Sequence, residues 1–424
     1  MPDSAPAWPA PLAQGPVDAT VSLPGSKSMT NRALILAALS ETPAVVRRPL
    51  RSRDTELMAG ALRSLGIGVA DEGRDWSVAP SAPTGPATLE VGNAGTVMRF
   101  VPPLAATADG AVRFDGDPRA RERPIGTLIS ALRALGASID DGGRGALPLI
   151  IHGTGSLPGG TVDLDASGSS QFVSALLLNG PRFDQGVHIR HSGPPVPSQP
   201  HLDMTVAMLR DVGVRVDVSA PGTWLVEPET IKATEIGVEP DLSNAAPFLA
   251  AALVTDGRVT IRDWPEHTTQ PGDALRDLFT RMGGKVSTGP EGLTMAGTGD
   301  ITGITADLRD VGELTPTIAA VAALASTPSR LTGIGHLRRH ETDRIAALVH
   351  EINRLGGDAE ELPDGLLIRP RLLHGDVFHS YDDHRMATSG AVIGLAVPGV
   401  QVENIATTSK TLPDFPDMWA EVAA

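Results

Sequence analysis

The stretch P-G-S-K-S-M-T-N-R, residues 24–32, predicts a strand break followed at once by a helix. Its Pro-Gly pair ends any preceding strand, and Ser26 has a side chain suited to the N-cap position. An apolar body at residues 33–39 continues the helix, so Lys27 and Arg32 fall in its first turns. Free N–H groups and the positive end of the helix dipole meet there, which favours an anion-binding site. An ordinary capped helix with surface charges is the alternative interpretation.

With 41% hydrophobic and 20% charged residues, the composition is typical of a soluble globular protein. A chain of 424 residues is too long for one ordinary hydrophobic core, so we expect at least two domains. The absence of cysteine excludes disulfides, thiolate catalysis and cysteine-ligated metals, and favours a cytoplasmic enzyme. No apolar run is long enough to predict a membrane span. Residues 1–12 are rich in Pro and Ala without a basic region, and are expected to form a loose tail rather than a signal peptide.

The charge distribution indicates that the chain binds small anions rather than nucleic acid or an anionic membrane. A net charge of −15 disfavours nucleic acid and anionic membranes as partners. Only four of the 35 basic residues are lysines, and two of these four, Lys27 and Lys410, lie within polar motifs. A lysine ammonium is compact and can exchange a proton, which a guanidinium does not replace. We therefore expect both lysines to have a chemical role.

One sequence pattern recurs along the chain: an amphipathic helix that ends at a Gly, followed by a short apolar strand. The glycines, spaced by 70–77 residues, are Gly66, Gly136, Gly213, Gly283 and Gly356. Glycine after the last helical turn is the expected C-terminal cap. A repeat of about 72 residues divides the chain into about six units. Strands between the helices are predicted at residues 111–114, 187–189, 223–226, 259–261 and 366–368.

A second helix type alternates with the first and is apolar on every side, which predicts burial. These Ala-rich helices are expected at residues 172–178, 247–253, 318–325 and 387–397, each after a polar cluster, with another after residues 93–96. Buried helices would then point their N-termini at a shared surface. We predict an α/β chain of six units, three in each of two domains, with seams near Pro24 and near Glu239-Pro240.

Three further motifs of the first half contain polar groups suited to anions. N-A-G-T-V-M-R, residues 93–99, places Gly95 in a tight turn before a helix, where backbone can approach a ligand. D-P-R-A-R-E-R-P, residues 117–124, has three arginines that could clamp a small polyanion or form a solvated loop. A-S-G-S-S-Q, residues 166–171, has hydroxyls at the start of a buried helix, typical of a phosphate cradle or of an N-cap.

Three motifs of the second half add acid–base groups. H-E-T-D-R, residues 340–344, is predicted to put Glu341 and Arg344 in the first turn of a helix, and D-H-R and T-S-K-T-L-P-D follow at residues 383–385 and 408–414. Together, the motifs of both halves supply six cations that could bind anions: Lys27, Arg32, Arg123, Arg344, Arg385 and Lys410. The acid–base candidates are Glu313, Glu341 and His384. Neither a Walker A sequence, a G-x-G-x-x-G fingerprint nor an H-E-x-x-H metal motif is present, so nucleotide hydrolysis, dinucleotide and zinc chemistry are disfavoured.

In this order and spacing, the motifs P-G-S-K-S-M-T-N-R, N-A-G-T-V-M-R, R-E-R-P, S-S-Q-F, H-E-T-D-R, D-D-H-R-M and S-K-T-L-P-D resemble the EPSP synthase family of enolpyruvyl transferases. The resemblance spans roughly residues 15–420. It implies a two-domain inside-out α/β barrel with six βαβαββ repeats, three in each domain. The upper domain, on the 3-phosphoshikimate side, would be residues 25–239, and the lower domain residues 1–24 plus 240–424, with the active site in the cleft between them.

The family's reaction transfers the enolpyruvyl group of phosphoenolpyruvate to the 5-hydroxyl of 3-phosphoshikimate through a tetrahedral intermediate, with neither metal nor organic cofactor. By motif, the resemblance assigns catalysis to Lys27, Glu313, Glu341 and His384. It assigns 3-phosphoshikimate to Lys27, Ser28, Arg32, Ser169, Ser170, Gln171, Ser198, Glu313 and His340. It assigns phosphoenolpyruvate to Lys27, Gly95, Arg123, Gln171, Arg344, Arg385 and Lys410. The resemblance also implies a cytoplasmic monomer that glyphosate inhibits.

Four positions depart from the pattern of many relatives, which have Asp for Glu313, Lys for His340, Asn for His336 and Tyr for His201. The closest alternative is the sister enzyme that adds enolpyruvate to UDP-N-acetylglucosamine, which typically uses a cysteine that this chain lacks. A binding or scaffold protein on the same fold is the other alternative. The retention of all six cations and both carboxylates argues against it.

Overall fold

The computed structural model describes residues 7–424, and the chain divides into two compact units. The central unit is Gly25–Glu239, and the terminal unit combines Pro240–Ala424 with the described residues that precede Gly25. Each unit has a hydrophobic core of its own. The site-forming residues of each unit are therefore positioned by that unit's own packing.

Twelve α-helices, six in each unit, lie within residues 7–424. The central unit has α1 (Lys27–Ala38), α2 (Arg53–Ser64), α3 (Gly95–Ala106), α4 (Gly126–Ala134), α5 (Gln171–Asn179) and α6 (Gln199–Asp211). The terminal unit has α7 (Ala245–Val254), α8 (Leu275–Arg281), α9 (Thr315–Ala323), α10 (Arg344–Arg354), α11 (His384–Ala396) and α12 (Phe415–Ala423). Short 3-10 helices cover Pro118–Glu122, Gly180–Arg182, Pro271–Ala274, Arg309–Leu314, Gly335–Arg339 and Ile405–Lys410. Among these described helices, none has the length and apolar composition needed to cross a membrane.

The strands of the described chain form six small sheets. The central unit contains β3 (Ala44–Arg47), β4 (Gly68–Glu72), β5 (Asp75–Ala79), β6 (Ala87–Glu90), β7 (Asp109–Asp115), β8 (Ser138–Asp140), β9 (Leu149–Thr154), β10 (Gly160–Leu164), β11 (Val187–His191), β12 (Val216–Asp217), β13 (Thr223–Val226) and β14 (Glu235–Gly237). The terminal unit contains β1 (Trp8–Pro9), β2 (Asp18–Val21), β15 (Arg258–Arg262), β16 (Lys285–Gly289), β17 (Gly292–Ala296), β18 (Thr305–Asp307), β19 (Ser329–Thr332), β20 (Asp358–Leu362), β21 (Gly365–Arg369), β22 (Val377–Phe378) and β23 (Gln401–Val402).

Five of the six sheets have four strands in one βαβαββ order, and in the sixth, β1-β23-β22, α11 joins the parallel strands β22 and β23. In the order β6-β7-β9-β8, a strand leads through an inner helix to its parallel neighbour, and an outer helix then leads to an antiparallel hairpin. The sheets β10-β11-β13-β12 and β18-β19-β21-β20 repeat this order. Where the chain passes between units, the parallel partners are distant in sequence: β14 pairs with β3, and β2 pairs with β15. The predicted six-fold repeat is confirmed.

The inner helices are buried because they have no polar face. Nine of the ten residues of α7, A-A-P-F-L-A-A-A-L-V, are buried. The inner helices α1, α3 and α5 pack on one another in the central unit, and α7, α9 and α11 do so in the terminal unit. The outer helices end at the five predicted glycines, whose positive φ angles of 85–105° are those of a C-terminal cap.

The N-terminal segment adds a strand to the sheet that contains β22 and β23. After β23 the chain forms α12, and β1 pairs antiparallel with β23. Ala10 N donates to Val400 O at 3.1 Å, and the Ala10 methyl occupies the space that a Cβ on Gly394 would need. The expectation of a loose tail over residues 1–12 is therefore wrong for residues 8–10, while residues 1–6 lie outside the described chain.

Candidate active site

In the central unit, the inner helices α1, α3 and α5 begin close together. Asn31 Nδ2 on α1 donates to Thr96 Oγ1 on α3 at 2.6 Å, and Arg99 Nη1 on α3 donates to Gln171 Oε1 on α5 at 3.1 Å. These bonds join the first turns of three helices. Their N-terminal N–H groups and dipoles therefore add up at one end of the unit, which favours anionic ligands there.

The opening motif forms the predicted cap and helix. Ser26 has extended backbone geometry and its side chain accepts a hydrogen bond from Met29 N, so α1 begins at Lys27. The Lys27 ammonium lies 3.4 Å from Asp54 Oδ2 and remains partly exposed at the helix terminus. This is a long ion pair, and the cation stays accessible to a ligand.

Arg32 is the most deeply placed cation of the central unit, with 1% exposure. Its guanidinium donates to Thr205 Oγ1 at 2.8 Å, to the carbonyls of Ser28 and His201 at 3.1 Å each, and to Ser174 Oγ at 3.4 Å. These acceptors are neutral oxygens, and desolvation lowers the pKa of Arg32 to about 9. A buried guanidinium without a carboxylate is an arrangement that an anionic ligand would stabilise.

The serines assigned to 3-phosphoshikimate at residues 169, 170 and 198 precede two helices that Arg32 contacts. Ser169 and Ser170 immediately precede α5, and Ser169 Oγ accepts from Gln171 N at 3.2 Å rather than capping in the standard way. Ser198 immediately precedes α6 in the left-handed conformation with φ of 59°. Arg32 contacts Ser174 and His201, one turn farther along the same two helices, so it ties both helix starts to α1.

Gly95 opens α3 rather than lying in the turn before it, because Ala94 takes the extended capping geometry and the turn falls at Gly92. An added Cβ on Gly95 would lie 2.7 Å from Arg123 Nη2 and 2.8 Å from Arg99 Nη1. Two buried guanidiniums thus pass directly over a glycine. Arg99, which donates to Gly95 O at 3.2 Å, was not among the predicted site residues, although its i+4 spacing from Gly95 could have indicated it.

Only one arginine of the motif at residues 117–124 is buried. Arg123 is 7% exposed and donates to Asn93 O at 2.8 Å. Arg119 and Arg121 form exposed ion pairs with Glu122 and Asp115. The solvated interpretation of this motif is therefore correct for two of its three arginines.

In the terminal unit, the inner helices α7, α9 and α11 also begin close together. Arg385 Nη1, in the first turn of α11, lies 3.4 Å from Ser243 O, two residues before α7 begins. Desolvation lowers the pKa of Arg385, and the charge of Glu313, just before α9, is the largest opposing influence. Asp383 caps α11 by accepting from Arg385 N at 2.9 Å.

Arg344 is held between two carboxylates. Its guanidinium donates to Asp383 Oδ2 at 2.7 Å and Oδ1 at 3.1 Å, and to Glu341 Oε2 at 3.1 Å. Burial on its own would lower the pKa of Arg344, but the charges of Asp383 and Glu341 outweigh burial and raise it. Lys410 Nζ contacts Glu341 Oε1 at 2.9 Å. Glu341 therefore bridges two cations from distant segments.

Glu341 lies outside α10, contrary to the sequence prediction. The helix begins at Arg344 because the Asp343 side chain accepts from Ala346 N at 3.1 Å and is the N-cap. Residues 340–342 therefore form a bend before the cap. In this bend, Glu341 reaches Lys410 as well as Arg344.

Three histidines lie near the carboxylates of the terminal unit. Burial lowers the pKa of His336, with Glu313 the largest opposing charge, and the rings of His336 and His340 are 5.7 Å apart, edge to face. His340 Nδ1 lies 3.5 Å from Arg344 Nη1. His384 is buried at the first position of α11, with Nδ1 3.7 Å from Asp383 Oδ1.

Within each unit, most of the predicted residues lie at or just before helix N-termini, and Arg123 and Lys410 reach such positions through contacts at Gly95 and Glu341. The central set is Lys27, Ser28, Arg32, Gly95, Arg123, Ser169, Ser170, Gln171 and Ser198, and the terminal set is Glu313, His340, Glu341, Arg344, His384, Arg385 and Lys410. Sequence reasoning missed the partners that hold these groups: Asp54, Arg99, Thr205 and Asp383.

A sequence model of one family, EPSP synthase (3-phosphoshikimate 1-carboxyvinyltransferase), matches residues 12–419. The chain belongs to the EPSP synthase family. A 3-phosphoshikimate 1-carboxyvinyltransferase from Kocuria rhizophila is 55% identical over 427 residues, which cover 98% of this chain and 96% of that protein.

Solved structures show the same fold. Two structures of EPSP synthase from Acinetobacter baumannii have TM-scores of 0.81 and 0.80 at 24% and 23% identity, covering 97% of this chain and 97% and 98% of theirs. The enolpyruvyl transferase NikO from Streptomyces tendae has a TM-score of 0.77 at 18% identity, covering 99% of this chain and 98% of its own. The fold class predicted from the motifs, a two-domain inside-out α/β barrel, is confirmed.

Proposed function

We propose that this chain transfers the enolpyruvyl group of phosphoenolpyruvate to the 5-hydroxyl of 3-phosphoshikimate, giving 5-enolpyruvylshikimate 3-phosphate and phosphate. This is the shikimate-pathway step that leads to chorismate and aromatic amino acids. The observation that carries the proposal is the 55% identity to a 3-phosphoshikimate 1-carboxyvinyltransferase over 98% of the chain. The cations gathered at helix N-termini support it, since both substrates are multiply charged anions.

The central unit would hold most of 3-phosphoshikimate. The buried guanidinium of Arg32, with its neutral partners, and the hydroxyls that precede α5 and α6 suit a phosphate group. Arg123, next to Gly95, suits the anionic groups of phosphoenolpyruvate. Lys27 would contact both substrates.

The terminal unit would supply the remaining phosphoenolpyruvate cations, Arg344, Arg385 and Lys410, and the acid–base groups. Glu313 and His340 would also contact 3-phosphoshikimate. We propose that the two sets act on the same pair of substrates. Positioned charges and acid–base groups are sufficient for this chemistry.

In the addition step, the substrate hydroxyl oxygen bonds to C2 of phosphoenolpyruvate while Glu313 takes the hydroxyl proton. Glu341, with Lys27, delivers a proton to C3, which becomes a methyl group in the tetrahedral intermediate. In the elimination step, Glu341, with Lys27, takes a proton back from the methyl group, the C2–C3 double bond re-forms, and the C2–O bond breaks as phosphate leaves. His384, beside Asp383, is the remaining catalytic candidate.

One assay tests the proposal: purified protein with 3-phosphoshikimate and phosphoenolpyruvate, following phosphate release. Release is the expected result. Release only with UDP-N-acetylglucosamine would select the sister reaction, and release with neither acceptor would support a binding or scaffold protein.

We also propose that the protein acts as a cytoplasmic monomer. The absence of cysteine suits a reducing compartment, and the net charge of −15 disfavours nucleic acid and anionic membranes as partners.

Gly95→Ala is expected to raise KM for phosphoenolpyruvate about tenfold and to weaken inhibition by glyphosate. The added methyl would displace Arg99 and Arg123, and overpacking of this kind costs ~1–3 kcal/mol. Steady-state kinetics with both ligands measure the change. Gly60→Ala, in α2, is the matched control because its Cβ would meet no atom within 4 Å. Equal kinetics in both variants would contradict the steric argument.

A further inference from the structure

His191 ends β11 between two segments that the proposed function uses. Residues 165–170 follow β10 and include Ser169 and Ser170, and residues 192–198 follow β11 and end at Ser198. Because β10 and β11 are parallel neighbours, both segments leave the same edge of the sheet. The relative placement of these serines therefore depends on what joins the two segments.

The imidazole of His191 joins them directly. Its Nδ1 lies 3.1 Å from Ala166 N, and its Nε2 lies 2.8 Å from Pro194 O. A backbone N–H only donates and a carbonyl only accepts, so Nδ1 is the acceptor and Nε2 carries the proton. The arrangement requires the neutral imidazole in one tautomer.

The same two segments also touch through backbone. Ser192 N donates to Leu164 O at 3.0 Å. A Cβ on Gly193 would lie 2.7 Å from Asp165 Oδ1, and Gly193 has a φ of 138°. Asp165 Oδ1 accepts from Ser167 N at 2.8 Å. The two segments are therefore in direct contact beside His191.

We propose that His191 is a positioning residue for the 3-phosphoshikimate site. Its neutral imidazole fixes the positions of Ser169 and Ser170 relative to Ser198. The inference rests on the proposed function, because the hydroxyls that it positions are those assigned to that substrate. His191 contacts the two segments, and it acts on the substrate only through them.

The test compares two variants with a matched control. His191→Phe keeps the ring but removes both hydrogen bonds, and should raise KM for 3-phosphoshikimate about 5- to 30-fold, with KM for phosphoenolpyruvate and kcat close to wild type. His191→Asn keeps an acceptor at the Nδ1 position, so it should restore KM for 3-phosphoshikimate. His188→Phe, on the same strand, should behave as wild type.

Amide hydrogen exchange without substrate gives a readout that does not depend on activity. His191→Phe should speed exchange in residues 165–170 and 192–198, and His191→Asn should protect residues 165–170. Unchanged exchange in His191→Phe overturns the positioning role, as does an asparagine variant as defective as phenylalanine. A lower kcat together with equal rises in both KM values would indicate general structural damage, and this result would also overturn the positioning role. A wild-type protein without turnover would instead contradict the proposed function, with hydrogen exchange still deciding the role of His191.

Discussion

Exchanging Glu341 for glutamine is expected to lower kcat by about 10²–10⁴-fold, the range that a positioned general acid or base contributes. Glu341 Oε1 lies 2.9 Å from Lys410 Nζ and Oε2 lies 3.1 Å from Arg344 Nη2, so the carboxylate is fixed in place by two cations. An amide of the same size keeps one of these acceptors but does not carry the proton. Steady-state kinetics measure the effect, and KM for 3-phosphoshikimate should change little.

Glu361→Gln is the matched control for that variant. Glu361 also accepts from an arginine, Arg338 at 2.7 Å, in the same unit, and it has no part in the proposed chemistry. Its kcat should equal that of wild type. A Glu341→Gln enzyme with wild-type kcat would exclude Glu341 as the group that handles the vinyl-carbon proton and leave Lys27 as the candidate.

Asp383→Asn is expected to lower the free energy of unfolding by about 3–5 kcal/mol, because it breaks a buried ion pair from one side. Asp383 is fully buried and accepts two hydrogen bonds from Arg344, which is 2% exposed. The asparagine leaves the guanidinium with Glu341 as its remaining carboxylate and weakens the cap of α11. Denaturant unfolding measures the stability change, and KM for phosphoenolpyruvate should rise with it.

The control for Asp383→Asn is Glu360→Gln. Glu360 also pairs with an arginine, Arg369 at 2.7 Å, but both side chains are exposed, and exposed pairs add little to stability. Its unfolding curve should match wild type. An Asp383→Asn protein as stable as wild type would mean that Glu341 alone balances the charge of Arg344.

The local sequence was sufficient to predict the helices, because caps and hydrophobic periodicity depend on residues close together in the chain. Ser26 before Lys27 predicted where α1 begins, and glycines such as Gly66 predicted where the outer helices end. An all-apolar stretch such as α7 can only be buried, so the alternation of helix types was readable without a structure. At Glu341 the local signal failed, since Asp343 competed successfully as the N-cap and left Glu341 in the preceding bend.

The partners of the charged groups were not predictable, because they come from distant segments. Arg32 contacts Thr205, 173 residues away, and Lys410 contacts Glu341, 69 residues away. No local period relates such residues. Tertiary packing also made the prediction of a loose N-terminal tail wrong, because Trp8 and Pro9 pair with strand β23.

By itself, the sequence determined the repeat, the two kinds of helix and the identity of the cations, because hydrophobic periodicity, capping and motif order are properties of short stretches. Only the tertiary structure decided which cations are buried without a carboxylate, as Arg32 is, and which are neutralised by a distant carboxylate, as Arg344 is by Asp383. The stretch at residues 24–32 shows both levels. Its cap and helix follow from its own residues, whereas the anion affinity of Lys27 and Arg32 depends on helices α3, α5 and α6 meeting α1, since burial and summed helix dipoles arise only when distant segments pack together.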